Sequence, residues 1–128
     1  MIFLLVLCSN ALSQKKISVS VKHQGSDTVG TKLAYEVRES IRRSQGYAYS
    51  PDGSDTVIEM VTAEVVPNGA SSIVSVVIIK HGDSPLCGVN LAHLAYYVGS
   101  LKVQEIADDI VATLDKQVGE YDFLYTKQ

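Results

Sequence analysis

Ile17-Ser-Val-Ser-Val-Lys-His23 alternates strictly, and after Gln24-Gly-Ser-Asp27 the pattern changes to Thr28-Val-Gly-Thr-Lys-Leu-Ala-Tyr-Glu-Val-Arg-Glu-Ser-Ile-Arg-Arg-Ser44. The first stretch has period 2. Ile17, Val19 and Val21 fall on one side of a strand, and Ser18, Ser20 and Lys22 fall on the side expected to face water. The second has helical period. Val29, Leu33, Val37 and Ile41 recur every four residues with Ala34 beside them, which makes one apolar stripe over residues 28–44. Ser26 or Asp27 stands where an N-cap is needed. Glu39 and Arg43 are spaced for an i,i+4 pair. Arg38, Arg42 and Arg43 suit the negative end of the helix dipole, and Gly46 is placed as a left-handed residue beyond the C-cap. A strand leading into a one-striped helix predicts a β-α-β unit with parallel strands.

Downstream, Tyr47-Ala-Tyr49 reads as a short strand and Ser50-Pro-Asp-Gly-Ser54 as a turn. Residues 56–66 are a β-rich run. Pro67-Asn68-Gly69 marks a hairpin, and residues 72–80 return antiparallel. Ile73 to Ile79 is apolar on both faces apart from Ser75, which predicts a central strand or one whose second face meets a partner. Residues 91–98 lie between strand and helix, and Tyr96, Tyr97 and Val98 favour strand. A second helix, capped by Ser100 and ended by Gly119, carries Val103, Ile106, Ala107, Ile110, Val111, Leu114 and Val118 on one face, with Glu105, Asp108, Asp109 and Asp115 opposite. The expected fold is α+β: a two-layer sandwich with a mixed sheet of four or five strands in the order β-α-β-β-β-(β)-α. Both helices should lie on one sheet face. The order of elements is similar to that of the small amino-terminal domain of TolB-like periplasmic proteins.

The chain has 128 residues, eleven Lys or Arg and fourteen Asp or Glu, and none of these lies in residues 1–14. Met1 to Leu7 is too short to span a bilayer as a helix and has the length of a signal-peptide core. Small residues follow at Ser9-Asn10-Ala11 and Ala11-Leu12-Ser13. Residues 1–13 therefore read as a signal peptide and residues 14–128 as a single globular domain, periplasmic or secreted, with no integral membrane segment once the signal is removed. Loss of Cys8 would leave Cys87 alone, so the domain must be held by its core and not by a disulfide.

Gly25-Ser-Asp-Thr-Val-Gly30-Thr-Lys32 sits between strand and helix, as a phosphate-binding loop would, but its last pair is Thr-Lys where the chemistry needs Lys followed by Ser or Thr. It reads as a polar loop with an N-cap. His81, Asp83, Cys87 and His93 are candidate metal ligands, although their spacing fits no standard zinc site. No G-x-S-x-G is present, and Asp108 and Asp109 point about 100° apart on a helix. A pI near 5.5 without a clustered basic face speaks against nucleic acid. Cys87, Tyr121, Phe123 and Tyr125 are candidate contact residues.

The expectation is a small exported, non-catalytic domain with no cofactor, acting by protein–protein contact in the bacterial cell envelope or periplasm. Its partner is another protein or a second copy of itself. The alternatives are a small-ligand or metal-binding protein using the 81–93 loop, and an inhibitor or immunity-type protein.

Overall fold

The computed structural model describes residues 16–65, 69–81 and 88–125. The expected leader with Cys8, the turn residues Pro67 and Asn68, and Asp83 and Cys87 lie outside the described residues. The period change at residues 17–44 is realised as β1 (Ile17–Gln24) followed by α1 (Thr28–Arg43). Then come β2 (Tyr47–Tyr49), β3 (Thr56–Glu64), β4 (Ser71–Lys80), β5 (Val89–Gly99) and α2 (Val103–Glu120). The sheet order is β2-β1-β3-β4-β5. β1 pairs in parallel with both β2 and β3, and β3-β4-β5 is an antiparallel meander. The expected α+β architecture, with both helices on one face of a mixed sheet, is what the chain adopts.

One apolar core joins the helices to that face. α1 contributes Val29, Leu33, Ala34, Val37 and Ile41, and α2 contributes Val103, Ala107, Ile110 and Leu114. They meet Val19 and Val21 of β1, Ile58 and Met60 of β3, and Val74, Val76 and Ile78 of β4. Three tyrosines tie the end of the chain to this layer. The Tyr47 hydroxyl donates to Asp115 on α2. That of Tyr96 donates to Asp109 at 2.6 Å. The Tyr125 hydroxyl lies 2.7 Å from Thr56 Oγ1.

Several local expectations give way to tertiary demands. Ser20 does not face water: it is buried, with its Oγ 2.8 Å from Ser54 Oγ. The cause is topological. β2 and β3 flank β1, so the segment between them must cross β1, and in crossing it covers Ser20 and Val57. Glu39 pairs with Arg42, one position earlier than expected, leaving Arg43 out of the pair. α1 ends on an extended Ser44 whose N–H returns to the Ile41 carbonyl. Gly46 therefore needs no left-handed turn, and its φ is not positive. Ser100 opens a 3-10 turn, Ser100–Lys102, in place of capping α2, whose first residue follows Lys102 without a side-chain cap. Gly119 lies inside α2, which continues to Glu120. Among the described residues the tail adds no strand. It folds as a 3-10 turn, Asp122–Leu124, and Tyr125 packs under Lys80, whose Nζ is 5.1 Å from the ring centre.

Candidate functional site

The Gly25–Lys32 segment carries a buried polar cluster centred on Asp27. Asp27 is the N-cap of α1, and its Oδ2 accepts the Gly30 amide at 2.8 Å. The same carboxylate reaches across the sheet. Thr62 on β3 donates to Oδ1 at 2.5 Å, and Ser72 on β4 donates to Oδ2 at 2.5 Å. Because the single Thr62 hydroxyl proton is committed to Asp27, His23 Nε2, 2.7 Å from Thr62 Oγ1, must be the donor there. The His23 ring is thereby fixed as the Nε2–H tautomer when neutral.

The two glycines of the segment serve this packing. Gly25 has φ +146°, and a Cβ there would come within 2.6 Å of the Thr62 carbonyl oxygen. A Cβ on Gly30 would come within 2.5 Å of Thr62 Cβ and 2.6 Å of Asp27 Oδ2. A phosphate-binding loop uses glycine so that its free amides can approach an anion. Here glycine brings the backbone up against β3, and the anion at the helix N-terminus is the chain's own Asp27. Burial alone would push the Asp27 carboxyl up. The hydrogen bonds from Ser72, Thr62 and the Gly30 amide outweigh it and hold the group below the ordinary carboxylate range. For His23, burial is the main influence and lowers its pKa. The Asp27 charge pulls it up and Arg38 pulls it down, with a net shift below 6.5.

The sheet face away from the helices is different in kind. Near the Gln24 end of β1 it exposes Val61 of β3, Ile73 of β4 and Tyr97 of β5, which are 51%, 53% and 65% exposed. The register places them side by side. Ile73 sits directly between Ala63 and Tyr97, and Ser75 between Val61 and Ala95. Together they line a shallow apolar groove of about 480 Å³. At the opposite end of the same face, Ser20, Lys22, Asp52, Ser54, Asp55 and His81 surround a polar depression of about 400 Å³.

The sequence candidates are distributed as follows. His93 stands opposite Val77 on β4, and His81 lies four residues beyond Val77. At about 3.4 Å per residue that separates them by roughly 13 Å along the strand. The His81 amide bonds to the Asp55 carbonyl at 2.8 Å, and His93 Nε2 lies 3.5 Å from Asn90 Nδ2. Among the described residues no three metal-ligating side chains converge. Tyr121 and Tyr125 are half-buried within the chain, while Phe123 is exposed, with its ring centre 6.1 Å from that of Tyr121. Sequence reasoning did not find Val61, Ala95 and Tyr97. The signal available was the run from Val89 to Gly99, which contains no Lys, Arg, Asp or Glu.

These features define a two-layer α+β sandwich with a five-stranded mixed sheet, one face covered by helices and the other open. Other proteins share this fold. A hypothetical protein of Chlamydia trachomatis matches 82% of this chain and 99% of its own, with a TM-score of 0.62 and 10% identity. A DUF330-family protein of Xanthomonas campestris matches 88% of this chain and 91% of its own, with a TM-score of 0.63 and 10% identity. A variant of PelC from Paraburkholderia phytofirmans, a dodecamer, matches 81% of this chain and 92% of its own, with a TM-score of 0.50 and 14% identity. No family model and no curated protein matches the chain. Among the described residues no helix is long and apolar enough to cross a membrane.

Proposed function

We propose that the chain is a small exported, non-catalytic domain that works by protein–protein contact in the bacterial envelope, through the open face of its sheet. The observation that carries this reading is the apolar groove of Val61, Ile73, Ala95 and Tyr97. A contiguous apolar patch ringed by polar residues marks an interaction surface more often than scattered single residues do. The polar cluster around Asp27 favours the same reading, because its donors and acceptors are turned on one another and not toward a substrate. The uncharged head, residues 1–13, is the support for export. The fold is shared with PelC, described as a dodecamer, and that favours an assembly in which this chain contacts its own kind.

The test is affinity purification of the exported chain from an envelope fraction, with light scattering on the product. The expected result is a stoichiometric complex or oligomer that is lost in the Ile73→Asp, Tyr97→Asp double variant. A monodisperse monomer with no co-purifying protein, unchanged by the double variant, removes the basis of the reading.

A further inference from the structure

We infer that β5 is the pairing edge of a symmetric dimer, in which two copies of this chain join antiparallel about Ala95 into one ten-stranded sheet. The inference rests on the contact reading above and names the partner as a second copy. β5 stands at the end of the sheet order, and among the described residues it pairs only with β4. Every second residue of such a strand turns its N–H and C=O away from the sheet, which offers the partner a ladder to complete. Among the described residues no backbone hydrogen bond from another element reaches that side of β5.

Long edges are normally blunted by proline or by charge. β5 has eleven residues and neither device. Self-pairing demands this, because a charged residue near a two-fold axis meets its own copy. The register follows from the strand. A bulge between the Ile78 and Ile79 pairings interrupts regular geometry at Leu91, leaving Ala92 to Gly99 as the regular stretch. Opposed residues must lie on the same face, so the axis passes through a residue. Tyr96 at the axis would set two rings together that are already held toward Asp109. Ala95 at the axis sets a single methyl group against itself near the middle of the stretch, whereas the other alanine, Ala92, adjoins the bulge. The axis at Ala95 pairs Tyr97 with His93 of the second copy on the open face, and Leu94 with Tyr96 on the helix face. The apolar groove then runs on from one copy to the next.

The size is adequate. The nine residues opposed about Ala95, Leu91 to Gly99, are about 30 Å long, and one sheet layer plus one helix layer is about 20 Å deep. The edge therefore offers roughly 600 Å² per copy, at the lower end of the about 600–1,000 Å² per partner of a standard stable interface. Each copy carries a formal charge of -3. The two repel, and salt should tighten the pair, whereas a basic peptide laid on the same edge would be loosened by salt.

The experiment is sedimentation equilibrium on the wild type, on Ala95→Lys, on Ala95→Glu and on an equimolar mixture of the two variants. Ala95 is exposed, so both substitutions leave the core untouched. The expected result is a wild-type dimer that tightens with salt. Each variant alone should be monomeric, with association weakened tenfold or more, and the mixture should regain the dimer because Lys and Glu then face each other across the axis. A wild type that stays monomeric, a single variant that still dimerises, or a mixture that stays monomeric overturns the inference. A monomeric wild type that still co-purifies with an envelope protein refutes the dimer and leaves the contact reading standing. Failure of both experiments refutes both.

Discussion

Replacing Asp27 by Ala should cost the domain about 3 kcal/mol. The carboxylate accepts from the Gly30 amide, the Thr62 hydroxyl and the Ser72 hydroxyl. Loss of an N-cap side chain alone is worth about 1 kcal/mol. A buried donor left without a partner costs about 1–3 kcal/mol. Thr62 is spared, since its proton can turn to His23 once the imidazole changes tautomer. Ser72 and the Gly30 amide are not spared, and both are buried. Water entering the space left by the carboxylate offsets part of the loss, which brings the sum to about 3 kcal/mol. A domain of this size is stable by about 5–15 kcal/mol, so the variant should fold but with a large deficit. At an m-value of about 1.5 kcal/mol/M, the urea midpoint followed by far-UV circular dichroism should fall by about 2 M with m unchanged. Asp27→Asn keeps an acceptor for the Gly30 amide, and its midpoint should lie between those of the other two proteins. A midpoint within about 0.5 M of wild type for Asp27→Ala would refute the claim that this carboxylate joins α1 to β3 and β4.

The remaining expectations concern the same contacts and their surroundings. Stability should fall on acidification in two steps: His23 has a folded pKa below 6.5 and Asp27 one below 3.8, so each contributes stability above its unfolded value and loses it as pH drops through the lowered folded value. Thermal melts at a series of pH values should show both steps, with the lower one absent in Asp27→Ala and the upper one absent in His23→Gln. Gly30→Ala should destabilise by about 1–3 kcal/mol because its Cβ meets Thr62. By contrast Gly119→Ala, also helical but with nothing within 4 Å of its Cβ, should stabilise by up to about 1 kcal/mol; paired urea curves give both signs. Tyr47→Phe removes the bond to Asp115 and should cost about 1–2 kcal/mol by the same measurement.

What could be read from the sequence was what repeats locally. The change from period 2 to period 4 around Asp27 placed β1 and α1 within a residue, and the apolar stripe of α2 named all four of its buried residues, Val103, Ala107, Ile110 and Leu114. What could not be read depends on register. Thr62 and Ser72 look like ordinary strand hydroxyls until the pairing of β3 with β4 brings them beneath Asp27, which lies 35 and 45 residues away. Ser20 has the alternation of a solvated residue, and only the crossing of β1 by residues 50–55 buries it. The glycines of Gly25–Lys32 looked like half of a nucleotide motif because close approach and anion binding ask the same thing of a backbone. Which of them is served depends on what lies opposite, and here that is Thr62.

The helices decide which face is left for contact. Each has a single apolar stripe, so each can cover sheet on one side only, and both stripes are used on the same side. The opposite face is protected at one end by residues 50–55 and left open at the other, where Val61, Ile73 and Tyr97 stand exposed. The exposed end adjoins β5, the long edge without charge or proline, and lies away from β2, the short edge of three residues. An open face alone fits many partners. An open apolar face continuous with an unblunted edge favours a partner that is itself a strand, because only a strand completes the ladder and extends the groove in one step.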